Sequence, residues 1–222
     1  MSAIDNKAHT SVPRPVRVGR GNLCAIFLFL CLFLFGCSGS QPTLSQLPDN
    51  AVILAFGDSI TSGVGAPFGS SYPEVLEKLI HRKIIKSGIS GEVSGEGVVR
   101  LPGELSVHKP KLVLLCMGGN DILRKLDSEK TAQNIIRMVQ MIRDSGAEVV
   151  LIGVPRPGLM LSTAPFYKKI SKDTGVPLEG SLLADILTDN KLKADAIHPN
   201  AEGYHRLAIG LADFLRKTGA IP

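Results

Sequence analysis

Cysteine is scarce where a fold would use it. The 222-residue chain has four, and Cys24, Cys31 and Cys37 all fall near the N-terminus, which leaves only Cys116 beyond them. A single cysteine makes no internal disulfide, so the fold must rest on its core. Cys116 sits in an apolar strand pattern and reads as a small buried hydrophobe. Internal repeats and low-complexity tracts are also missing. So is any basic cluster interleaved with aromatics, which make up only 5% of the chain. Nucleic acid is therefore not an expected partner. The net charge of +5 does not change this, because Lys7, Arg14, Arg17, Arg20 and Asp5 precede Cys37 and leave 21 basic against 19 acidic residues after it. No close histidine pair and no cysteine ligand set is present, so no metal or other cofactor is expected. What remains, 44% hydrophobic and 20% charged, has the composition of a globular domain of ordinary size.

Residues 1–36 have the layout of an export signal: a basic leader ending at Arg20, an apolar core from Leu23 to Phe35, then Gly36 and Cys37. An apolar run of about 13 residues is short for a membrane span and suits a signal peptide. Leu34-Phe35-Gly36-Cys37 resembles the lipobox of bacterial lipoproteins, which implies lipidation at Cys37 and membrane attachment through that anchor. An uncleaved signal anchor is the alternative. Ser38 gives no inner-membrane retention signal of the aspartate type, so the resemblance implies an outer-membrane destination. Residues 37–49 are read as a flexible tether and 50–222 as the folded domain.

Within that domain, Ala51-Val52-Ile53-Leu54 leads into Ala55-Phe56-Gly57-Asp58-Ser59, an aliphatic run stopped by turn residues, as in a buried parallel strand. Gly57 is expected to let the backbone turn sharply. Tyr72, Val75, Leu76, Leu79 and Ile80 form a helical stripe, with Pro73 suited to the first turn. Lys83 to Ile89 is a second strand, and a helix broken near Pro102-Gly103 is expected between Val93 and Val107. Lys111 to Met117 is the third strand, stopped by Gly118-Gly119. Ser128 to Asp144 repeats the stripe with Ala132, Ile135, Ile136, Val139 and Ile142, and Glu148 to Val154 is the fourth strand. Short helices are expected around Phe166 to Asp173 and Leu182 to Leu187, then a clear one behind Asn200. Alternating strands and helices predict an α/β fold, one three-layer α/β/α domain with a parallel sheet and helices on both faces.

The expected strand ends carry the chemistry-bearing residues. Ser59 follows the first strand, Gly91 the second and Asn120-Asp121 the third, while Asp195-Ala196-Ile197-His198-Pro199-Asn200 precedes the last helix. In an open α/β sheet this edge is where ligands bind. Asp58 and Ser59 read either as a helix cap or as a nucleophile with its turn. An Asp three residues before a His can accept the imidazole Nδ1–H and leave Nε2 to take a serine proton.

Taken together, Gly57-Asp58-Ser59-Ile60-Thr61, Ser90-Gly91, Gly118-Gly119-Asn120-Asp121 and Asp195-Ala196-Ile197-His198-Pro199 resemble the four ordered blocks of the SGNH hydrolases. These belong to the GDSL esterase and lipase superfamily, and the likeness is to its branch of bacterial thioesterases, lysophospholipases and arylesterases. The resemblance implies a flavodoxin-like sheet and a serine esterase acting on small ester or lipid substrates. It implies Ser59 as nucleophile, His198 as general base and acid, and Asp195 as its orienter. An oxyanion hole would be formed by the N–H groups of Ser59 and Gly91 and the Asn120 amide. One departure is Lys86-Ser87-Gly88, where relatives commonly carry an asparagine and small residues; it bears on the packing behind that hole. Asp58 and Asp121 are expected to brace loops, and His81, His108 and His205 to lie on surfaces or helix faces. Alternatives are a cell-envelope polysaccharide deacetylase using the same triad, or a non-enzymatic envelope binding lipoprotein. The segments expected to shape a pocket, Leu101 to Leu105 and Leu159 to Phe166, carry no readable preference for acyl length.

Overall fold

The computed structural model describes residues 42–158 and 160–222. The expected signal peptide, Cys37 and the start of the tether lie outside the described residues. The packed unit begins before residue 50. Leu44 and Leu47 each donate a backbone N–H to the C-terminal turn, at Thr218 and Ala220, both at 2.8 Å, and Leu47 is buried. The tether placed over 37–49 therefore ends early, because two leucines three residues apart find an apolar seat on the domain.

In chain order, the first half runs β1 (Val52–Gly57), α1 (Ser59–Ser62), α2 (Tyr72–Ile80), β2 (Lys83–Gly88), α3 (Ser94–His108), β3 (Leu112–Cys116), α4 (Gly119–Leu123) and α5 (Ser128–Asp144). The second half runs β4 (Glu148–Ile152), β5 (Pro155–Arg156), β6 (Ser162–Thr163), α6 (Pro165–Thr174), β7 (Leu178–Glu179), α7 (Leu182–Thr188) and α8 (Ala201–Lys217). Five strands form one parallel sheet in the order β2-β1-β3-β4-β7, the flavodoxin-like arrangement, flanked by helices. The order reverses between β1 and β3, so a crevice opens beyond the C-terminal ends of those two strands. Every residue of β3 is buried, as are Ile53 to Gly57 of β1, which is why these strands read as unbroken apolar runs. Strand β2 lies at the edge and carries Lys83 and Lys86, charges that discourage pairing with another chain.

The helices pack in pairs, α2 with α8 and α3 with α5. Their caps follow the sequence. The Asp127 carboxylate accepts from the N–H groups of Glu129 and Lys130 at the start of α5, and Asn200 accepts from Gly203 N–H at the start of α8. Two expectations change. Helix α3 is unbroken through Pro102, because burial of Val98, Leu101 and Leu105 along one face offsets the ~3 kcal/mol that an interior proline costs. The fifth strand, β7, has only two residues, too short for any periodicity to show. No helix among the described residues is long and apolar enough to cross a membrane.

Candidate active site

Ser59 begins α1, the single helical turn directly after β1. Its local frame is set by Asp58, whose carboxylate caps the turn by accepting from Ile60 N–H at 3.1 Å. Gly57 is required here for a different reason than a sharp turn. Its φ is not positive, but a Cβ would collide with the Thr61 side chain and the Cys116 carbonyl oxygen. The glycine lets β1, β3 and the first helical turn close on one another.

His198 comes from the loop before α8. Its Nε2 accepts from Ser59 Oγ at 3.0 Å, and its Nδ1–H donates to Asp195 Oδ2 at 2.8 Å. Asp195 Oδ1 in turn accepts from the N–H groups of Ile197 and His198, so the carboxylate closes its own loop and aims the ring. What burial Asp195 has would raise its pKa. The Ile197 N–H and the His198 side chain outweigh that and hold the carboxyl below its ordinary value. The Asp195 side chain is 52% exposed, against 14% for His198.

On the other side of Ser59, Asp58, Glu92 and Asp121 are buried and Asn120 is half-buried. Asn120, at the start of α4, donates its amide to Glu92 O at 3.0 Å and to Asp58 Oδ2 at 3.2 Å. The amide is thus engaged by the protein rather than waiting unpaired for a ligand. Burial pushes the Asp58 carboxyl up to about 6, in spite of its Ile60 donor. Gly91 adopts φ +82°, a left-handed value within the Ile89–Glu92 turn. Its carbonyl accepts from Arg124 Nη2 at 2.7 Å. The N–H groups of Ser59 and Gly91 have no acceptor among the described residues. Asp121 braces the loop as expected of it, accepting from Ser94 N–H and Oγ at 2.8 and 2.6 Å.

A cavity of about 200 Å³ opens beside Ser59, Asn120 and His198, with Leu123, Val154, Leu161, Leu183, Leu187 and Ile197 supplying an apolar lining. Gly91 and Asp195 are not among the residues that line it. The expected pocket segment Leu101 to Leu105 proves to be part of α3, with Leu101 and Leu105 in the core, and Leu159 is outside the described residues. The sequence reading missed Val154, Leu183 and Leu187, whose only signal was apolar character in short elements near the sheet edge. It also missed Glu92 and Arg100, described below. Among the described residues no group of three or more His, Cys, Asp or Glu side chains is placed to hold a metal ion.

The model of the GDSL-like lipase/acylhydrolase family matches residues 55–206, from the end of β1 into α8. The chain belongs to that family. This GDSL-family esterase is 31% identical over 199 residues to an arylesterase of Vibrio mimicus, covering 85% of this chain and 97% of the relative. It is 29% identical over 198 residues to thioesterase 1/protease 1/lysophospholipase L1 of Escherichia coli K12, covering 86% and 90%. Among solved structures it is similar to the psychrotrophic esterase EstA of a Pseudoalteromonas species. That likeness has a TM-score of 0.69 at 25% identity and covers 76% of this chain and 98% of the other.

Proposed function

We propose that this GDSL-family esterase cleaves carboxylic esters through an acyl-Ser59 intermediate. The observation that carries this reading is the line Ser59 Oγ, His198 Nε2, His198 Nδ1, Asp195 Oδ2, joined by hydrogen bonds of 3.0 and 2.8 Å. As Ser59 Oγ attacks the ester carbonyl, His198 Nε2 takes its proton and then delivers it to the leaving alkoxide. Ionised Asp195 keeps Nδ1 protonated and favours the imidazolium formed in between. Water, deprotonated by the same Nε2, then releases the acid and restores Ser59. The developing oxyanion is met by the N–H groups of Ser59 and Gly91. Asn120 joins them by exchanging its longer bond, to Asp58, for the negative oxygen.

The apolar cavity lining favours an acyl or aryl group over a polar acetylated sugar. On that ground lysophospholipids, acyl or aryl esters, and thioesters are the proposed substrates, in keeping with the activities named for the Vibrio and Escherichia relatives. A fluorophosphonate probe should label Ser59 in the native protein, and turnover of a panel of acetyl to palmitoyl esters, thioesters and acetylated sugars should rank the substrates. Labelling that survives in folded Ser59→Ala would end the serine-nucleophile reading. We also propose that Cys37 carries the lipid that anchors an exported enzyme, with the outer membrane as destination, resting on the Leu34-Phe35-Gly36-Cys37 pattern alone. Metabolic labelling with a fatty-acid analogue checks it, since Cys37→Ala should abolish incorporation and unchanged incorporation would refute the anchor.

A further inference from the structure

Arg100 lies within α3, away from the cavity, yet its guanidinium is the meeting point of three chain segments. Nε donates to Glu92 Oε1 at 2.7 Å, and Nη2 donates to Glu92 Oε2, closing a two-point ion pair. Nη1 donates to Ser87 Oγ at the end of β2, and Nη2 also reaches Gly57 O, at 3.3 Å, at the end of β1. The guanidinium stacks 4.0 Å above the Phe56 ring. Both partners are largely withdrawn from water, with side-chain exposures of 18% for Arg100 and 5% for Glu92.

We propose that Arg100 is the positioning residue of the oxyanion side of the site, acting through Glu92 and Gly57; the inference rests on the function proposed above. Gly57 is two residues before the Ser59 N–H, and Glu92 is one residue after the Gly91 N–H. The Glu92 carbonyl also holds the Asn120 amide at 3.0 Å. One rigid fork therefore fixes the spacing of all three donors that would face the oxyanion. A planar guanidinium spans these partners, whereas a lysine ammonium is a single point of charge and cannot. A buried ion pair is weak as a source of stability, since its desolvation cost offsets its attraction, so an arrangement this well satisfied is better accounted for by the geometry it imposes. Ser87, in the stretch that departs from the family pattern, supplies the hydroxyl that completes the fork.

The test uses the full-length enzyme with an aryl ester and reads kcat and KM per site titrated by fluorophosphonate. Arg100→Met should lower kcat by about 10- to 100-fold with KM changed less than about twofold, because small misplacement of transition-state donors is costly while the apolar cavity is untouched. Arg100→Lys, which keeps the charge without the fork, should stay well below wild type, and Glu92→Gln should fall between. Should Arg100→Met not fold, these two carry the test. Asn120→Ala should cost at least about threefold less in the Arg100→Met background than in wild type, since both act on the same donor. Normal kcat per titrated site with only a lowered Tm, or strict additivity with Asn120→Ala, would overturn the proposal while Ser59→Ala is inactive. Wild-type turnover in Ser59→Ala would overturn the site reading, and this proposal with it.

Discussion

On one flank of Ser59, His198 and Asp195 form a short line of two hydrogen bonds that ends in a half-exposed carboxylate. On the other flank, Asp58, Glu92, Arg100 and Asn120 form a closed and mostly buried net that draws on four separate stretches of chain. The first flank is local. Asp195 and His198 are three residues apart in one loop, and the loop's own N–H groups fix the carboxylate, so solvent screening does little harm to its geometry. The second flank is built from distant parts and contains charges out of water, so each polar group in it must find a partner. On the mechanism proposed above, the contrast separates proton handling, which tolerates an exposed support, from oxyanion binding, which depends on donors held before the charge appears.

The largest expected effect falls on the local flank. His198→Ala should lower kcat by about 10⁴- to 10⁶-fold while leaving Tm close to wild type, because among the described residues the ring bonds only Ser59 Oγ and the part-exposed Asp195 carboxylate. Loss of folding together with activity would show that the two flanks are not separable in this way, and thermal melts beside kinetics would reveal it.

The same contrast explains what was legible in the sequence. Ser59, Asp195 and His198 could be picked out as candidates because short motifs after β1 and before α8 carry them and together resemble one family, β1 and β3 because unbroken apolar runs report burial, and α2, α5 and α8 because helical apolar stripes do. Gly57 was found for an incomplete reason, since its need is close approach to Thr61 and Cys116, a contact between strands that no local pattern records. Arg100 has no local signal that singles it out. Nothing in its neighbours announces that Ser87, thirteen residues earlier, and the Gly57 carbonyl would meet its guanidinium. The engagement of the Asn120 amide by Asp58 and Glu92 was likewise invisible, because side-chain pairing across two loops depends on the tertiary fold.

A middle-sized effect is expected at Asn120, where the two flanks face each other across Ser59. Asn120→Ala should lower kcat about 10²- to 10³-fold per titrated site with KM little changed, as for removal of one oxyanion donor. It should also lower Tm modestly, because the Glu92 carbonyl and Asp58 carboxylate lose a donor. Retention of more than about a third of wild-type kcat would leave Asn120 as part of the buried net only, since a threefold loss is ~0.65 kcal/mol.

The smallest effect sharpens the comparison most, because it sets one carboxylate from each flank against the other. Asp195 is held below its ordinary value, whereas burial raises Asp58 from 3.8 to about 6. A lowered carboxylate adds stability that is present above the unfolded pKa and lost as pH falls through the folded value, so Asp195 acts on the acid side of about pH 4. A raised one acts with the opposite sign. Between about pH 4 and 6 folded Asp58 keeps a proton that the unfolded chain has released, so its contribution to stability declines as pH rises through that window, by up to ~3 kcal/mol. Asp58→Asn removes this titration. An amide at residue 58 also sets a donor against Asn120, but that penalty does not vary with pH, so the informative quantity is the Tm difference between variant and wild type as a function of pH. The difference should shift in favour of Asp58→Asn from pH 4 to pH 7. A flat difference across that range would mean that the Asp58 charge is satisfied within the net, and that burial on this flank carries no electrostatic cost.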